Sequence, residues 1–175
     1  MNTRTFGVVT PVTVALILSA STALSAPITV PSGDVAALTN VLKTCATWST
    51  VVLEAGEYDL SCLTNAPMGE NTSYQGRSLL SLPTGVTLKG STGNPEDVVL
   101  KGCGKFRILQ HANGCAIKDL TMTGGRAEEG SFPAGGAVFA TGSAISITNC
   151  RFLGCSAKSG TGIAVCGMEL LRETA

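Results

Sequence analysis

The ionisable residues that could do chemistry are few and scattered. Glu96-Asp97 and Glu128-Glu129 are adjacent carboxylates in loop-like stretches, and Asp119 lies in a strand-like one. Calcium takes several convergent carboxylate or carbonyl oxygens, which makes these the candidate ligands, although neighbouring acids on a loop are more often solvated surface. Arg107, Arg126 and Lys101 could supply a base if burial or a neighbouring charge lowered the pKa. Glycoside hydrolysis needs two carboxyls facing one bond. Asp119 and Glu128 are available for that, but no spacing selects them and the chain contains no Asp-Asp pair. His111 is the only histidine and reads as a corner residue beside a strand. No Ser/His/Asp arrangement, P-loop or dinucleotide glycine pattern is present. No residue is therefore assigned a catalytic, cofactor-binding or metal-ligating role.

Seven cysteines remain to be placed: Cys45, Cys62, Cys103, Cys115, Cys150, Cys155 and Cys166. They show no Cys-x-x-Cys or Cys/His spacing of the kind zinc requires. Outside the cytosol they could pair, with an odd one left over. Cys45–Cys62 and Cys103–Cys115 are the plausible bridges. Cys115 and Cys150, inside strand-like runs, also read as small apolar fillers of a narrow core.

The elements that must position these residues follow from composition. The chain has 175 residues, enough for one ordinary domain, with 44% hydrophobic, 14% charged and only 5% aromatic residues. Gly is 21 of the total, and twelve basic residues balance twelve acidic ones. A neutral chain offers no electrostatic footprint for nucleic acid and no cationic face for anionic lipid.

Residues 1–26 read as a secretion signal peptide. Arg4 precedes an apolar run from Val8 to Ala20, and the small residues Ser21 to Ala26 form a cleavage zone, with Ala23 preferred because Pro27 follows Ala26. The run falls short of the ~20 residues a bilayer needs and contains Pro11, so no membrane span is expected in the mature chain. Asn71-Thr72-Ser73 matches a glycosylation acceptor pattern.

Beyond the leader the chain repeats itself. Ile117 to Ala127 aligns with Ile147 to Ala157 at an offset of about 30, and Gly135 to Ala140 aligns with Gly162 to Gly167 at about 27. Short Val/Ile/Leu runs recur at 79–82, 86–88, 98–100, 106–109, 115–122, 137–139, 145–147 and 150–152, separated by Gly, Asn, Ser or Thr. The gaps are too short for helical crossovers. Each strand is expected to pair with its counterpart one period away, stacking Ile117 over Ile147, Leu120 over Cys150, Met122 over Phe152 and Val138 over Val165. An antiparallel sandwich is the competing arrangement, but it gives no reason for offset-matched segments.

The ends need covering. Asp34 or Ser32 can cap a helix whose apolar residues Val35, Leu38, Val41, Leu42 and Cys45 follow helical spacing, and this helix would seal the first coil. Residues 27–60 are thus the cap helix and first coil, 61–167 the remaining coils, and 168–175 an irregular tail. The pattern stops near Cys166, and the tail has little with which to cover a coil. The expectation is a coil array cut short at its C-terminus.

Thr50 to Leu60, following that helix, resembles the opening of pectin-lyase-like right-handed β-helix proteins. The series Gly124-Gly125-Arg126-Ala127, Gly135-Gly136-Ala137-Val138 and Phe152-Leu153-Gly154-Cys155 is similar to repeats of chlamydial polymorphic outer-membrane proteins and other exported bacterial β-helix proteins. Those usually read Gly-Gly-Ala-Ile and Phe-x-x-Asn, whereas here Cys155 replaces Asn and Ile163 replaces the second Gly. The resemblance implies an all-β chain, a right-handed parallel β-helix (solenoid) with an N-terminal capping helix, exported and secreted or held at a bacterial cell surface. The expected function is a non-catalytic module that binds carbohydrate or another surface, or acts as a spacer. The alternative is a polysaccharide lyase or hydrolase acting on acidic polysaccharide. In that case Asp119, Glu96 or Asp97 would bind Ca²⁺ and Arg107 would act as base; otherwise no cofactor is expected.

Overall fold

The computed structural model describes residues 26–65, 68, 76–111, 113–128, 133–141, 144–158 and 163–166. The leader, the glycosylation motif, Glu129 and the tail fall outside them. In chain order the elements are β1 (Ile28–Val30), α1 (Val35–Thr44), β2 (Thr50–Leu53), β3 (Gly56–Asp59), a 3₁₀ turn (Leu60–Asn65), β4 (Ser78–Leu82), β5 (Thr87–Gly90), β6 (Val98–Lys101), β7 (Arg107–His111), β8 (Ala116–Thr123), β9 (Arg126–Ala127), β10 (Val138–Thr141), β11 (Ser146–Leu153), β12 (Ser156–Ala157) and β13 (Ile163–Cys166).

Strands dominate, and every pairing among the described residues is parallel. That excludes the antiparallel sandwich. One sheet runs β1-β2-β5-β8-β6-β3 with β11 on β8; a second runs β13-β10-β7-β4; β12 and β9 form a third. Five of the ten pairings join residues 29 or 30 apart, among them Thr87 beside Ala116, Ala116 beside Ser146, Ser78 beside Arg107 and Arg126 beside Ser156, and the other five span 22 to 42 residues. The expected stacks Ile117/Ile147, Leu120/Cys150 and Met122/Phe152 are present.

One expected stack is not. Val138 pairs with Ile163, and Val165 with Ala140, so this ladder is offset by two residues from the alignment of the glycine motifs. Strand side chains alternate with period two, so a two-residue slip keeps the same residues facing inward. Hydrophobic pattern alone cannot tell the two registers apart. The register that sets like charges side by side among the described residues is Lys89 beside Lys118.

The core is a column of Val, Leu and Ile with few aromatics: Val51, Leu53, Leu80, Leu88, Leu100, Ile108, Leu109 and Ile117 are all fully buried. Helix α1 begins where the sequence expects it. Asp34 is the N-cap, its side chain accepting from the Ala37 N–H at 2.8 Å. Its buried residues Val35, Leu38 and Leu42 lie one turn apart and join the same core as the strands. The sequence reading missed β1, a three-residue strand ahead of the helix and paired with β2; a strand that short carries too little pattern to be read.

Tyr58 is the largest buried aromatic of the N-terminal part. Its hydroxyl sits 3.2 Å from the Val30 carbonyl and 3.1 Å from that of Glu54, and can donate to either. Burial, with the Glu54 charge adding to it, pushes its pKa up to about 12. The folded protein therefore holds a proton that the unfolded chain releases near pH 10. Stability should be complete below pH 10 and fall between pH 10 and 12, by about 2–3 kcal/mol from this group. Tyr58→Phe is expected to cost about 1 kcal/mol at pH 7 and to flatten most of the alkaline fall in urea titrations. An unchanged alkaline slope would show the hydroxyl to be exposed.

Candidate functional site

Asp119 occupies a corner rather than a cleft. It interrupts β8 with a left-handed φ of 56°, and Asn149 does the same at the equivalent point of β11 with φ 48°. Asp and Asn tolerate this conformation better than most residues. The Asn149 amide Nδ2–H₂ donates to Asp119 Oδ1 and to the Gly93 carbonyl, both at 2.8 Å. Residues 91–97 lie over this face, held also by Thr121, whose hydroxyl donates to the Pro95 carbonyl at 2.7 Å. The structure thus brings Glu96 and Asp97 to the same side as Asp119.

Each acid already has a donor. Glu96 is ion-paired with Arg151, and Asp97 accepts from Asn94 Nδ2 at 2.9 Å. Glu128 is bridged by Arg126 at 2.6 Å, and Glu57 by Lys101 at 3.0 Å. A calcium ion needs oxygens turned toward it, whereas here the Asn149 amide and the Arg151 guanidinium hold those positions. Among the described residues no three His, Cys, Asp or Glu gather as a metal site. The Asp119, Glu96 and Asp97 carboxylates are each engaged by a neighbouring side chain.

Arg107, the base of the lyase alternative, corrects the expectation most. The residue is 1% exposed. Nε donates to the Gly135 carbonyl at 3.1 Å, Nη2 to the Ala134 carbonyl at 2.7 Å and Nη1 to Ser78 Oγ at 3.5 Å. The guanidinium lies 4.3 Å from the centre of the Phe139 ring. Burial lowers its pKa to about 10, which leaves it protonated at neutral pH and out of reach of a polymer. Phe106 to Leu109 are all buried, so β7 is covered on both faces and the usual in/out alternation gives no warning of this.

Arg107 also borders a shallow surface depression, with Arg77, Lys105, Phe106, Arg126 and Glu128 in its wall. The Arg77 guanidinium sits 5.7 Å from the Phe106 ring centre. This is a basic patch on a neutral chain that lies open to solvent and encloses no space for a ligand. His111 ends β7, in register with Leu82 and Ala140.

The cysteine bridges are also corrected. Cys45, Cys62 and Cys103 carry free thiols, so neither Cys45–Cys62 nor Cys103–Cys115 forms. Cys115 is buried with its thiol 3.1 Å from the carbonyl of Pro83, 32 residues earlier, and Cys150 lies 3.2 Å from the Thr148 carbonyl, as fillers do. Burial pushes the Cys150 thiol up to about 11, leaving it protonated and a poor nucleophile at neutral pH.

A feature to which the sequence reading gave no role stands at another corner. Trp48, the single tryptophan, is 69% exposed and has φ 67°. For a bulky residue this backbone region costs of order 1–3 kcal/mol. Counting two residues back from the register Thr50/Thr87/Ala116/Ser146, Trp48 stacks with Gly85, Gly114 and Ala144, all with positive φ. The Trp48 N–H donates to the Thr84 carbonyl at 3.3 Å, and the Gly85 N–H to the Asn113 carbonyl at 2.9 Å.

Compared with protein-family models, curated proteins and solved structures, the chain matches none. No helix among the described residues is long and apolar enough to cross a membrane.

Proposed function

We propose that this chain is an exported, non-catalytic module wound as a right-handed parallel β-helix, with α1 as its N-terminal cap, that binds carbohydrate or another surface or acts as a spacer. The observation that carries this reading is the ladder register: every pairing among the described residues is parallel, and five of the ten join residues 29 or 30 apart. Right-handed winding follows from the chirality of parallel crossovers. Helix α1 packs on β1 at the edge of its sheet, where a cap would be placed. Export rests on Arg4, the Val8–Ala20 run and the small residues after it.

A second reading, an enzyme acting on acidic polysaccharide, has the basic patch of Arg77, Lys105 and Arg126 in its favour. Incubation with polygalacturonate, with and without Ca²⁺, separates the two by ultraviolet absorbance of unsaturated product. No product above the buffer rate is the expected result; sustained turnover would overturn the non-catalytic reading.

A further inference from the structure

We infer that Trp48 is a stacking platform for a neutral, β-linked pyranose polymer, an inference that rests on the proposed carbohydrate-binding reading and gives it a site. The indole is held flat. A Cβ added at Gly85 would lie 2.4 Å from Cδ2, 2.6 Å from Cε3 and 2.9 Å from Cε2, above the ring fusion rather than beside its edge. One added at Gly114 would lie 2.9 Å from Cη2, at the far side of the six-membered ring. One aromatic face is therefore laid on two glycine backbones of successive rungs, and 69% exposure leaves the other face to solvent. Any side chain at either glycine would lift the ring.

The chemistry of the surroundings selects the ligand. Isolated, planar and fixed, the ring is too small for the contiguous apolar patch that a protein partner buries. It matches one C–H face of a sugar with equatorial substituents, and its rigidity spares the ordering cost of binding. Among the described residues the indole Nε1–H finds no acceptor and remains available to a hydroxyl. Thr47, Ser49, Thr84 and Asn113 flank the ring in sequence or across the ladder, and the segments 44–53, 78–88 and 113–117 carry no charge. Charges begin only past these segments, with Lys89 and Lys118, so the ring itself is met by uncharged residues and a neutral sugar is the class it suits.

Because the chain has one tryptophan, its fluorescence reports on this site alone. Titration of the mature protein with cellohexaose and xylohexaose should shift emission to the blue and reduce acrylamide quenching by about half, with oligogalacturonate giving no change. In affinity gels containing the corresponding polysaccharides, Trp48→Ala should weaken retention roughly tenfold and Trp48→Tyr should restore part of it. Thermal melts of both variants should stay close to wild type, since the ring is exposed. Unchanged emission and quenching at saturating hexaose would overturn the platform. So would retention of Trp48→Ala equal to wild type, which leaves the binding-module reading standing on another face. Wild-type protein retained by no polysaccharide would overturn the platform and the carbohydrate-binding reading together.

Discussion

Gly136→Ala is expected to destabilise the protein by about 3 kcal/mol or more, lowering Tm by roughly 6–12 °C for a chain of this size. The added methyl would lie 2.0 Å from the Ser156 carbonyl oxygen, 2.7 Å from its carbon and 2.8 Å from its nitrogen. All three are backbone atoms of the residue that opens β12. Ser156 cannot step aside, because its N–H donates to the Gly125 carbonyl at 2.9 Å and it opens the β9/β12 ladder. Relief requires moving β12 against β9. Gly93→Ala is the control: it has φ 80° but open space around it, so it should show only the ~1–2 kcal/mol of left-handed strain. Thermal and urea melts of the two variants compare them directly. A Gly136→Ala protein as stable as wild type would mean that Gly136 and Ser156 do not approach as described.

Arg107→Leu is the second large effect, at about 2–4 kcal/mol. Hydrogen bonds from a charged group contribute about 1.5–3 kcal/mol each, and two buried carbonyls, Ala134 and Gly135, would lose their donors. Contact with the Phe139 ring would go as well. Part of the loss is offset because a cation no longer has to be buried. Arg107→Lys should lie between the two, since an ammonium keeps the charge but cannot reach both carbonyls as the planar fork does. Urea melts rank the three proteins; Arg107→Leu equal to wild type would place the guanidinium in solvent. The same burial makes Arg107 a part of the scaffold and not a base.

Part of the architecture was legible because parallel pairing of like strands imposes a repeated pattern. The Ile117–Ala127 and Ile147–Ala157 segments align at an offset of 30, and their strands pair at that offset. The helix start was legible because a cap needs a side-chain acceptor ahead of an apolar stripe, and Asp34 supplies one. The glycine motifs misled on register, since Gly135-Gly136 marks where rungs touch and not how β10 meets β13. The site was least legible. Glu96 and Arg151 are far apart in sequence, and only the ladder sets one over the other.

The sequence by itself determined the period, the strand-rich composition and the position of α1, because these depend on local pattern repeated at a fixed spacing. Only the tertiary structure decided that Arg107 faces inward, that Asp119 is spent on Asn149, and that Trp48 lies on Gly85 and Gly114. Those outcomes depend on backbone φ and on which residue of another rung arrives at each corner. Neither quantity is encoded in the alternation of apolar and polar residues.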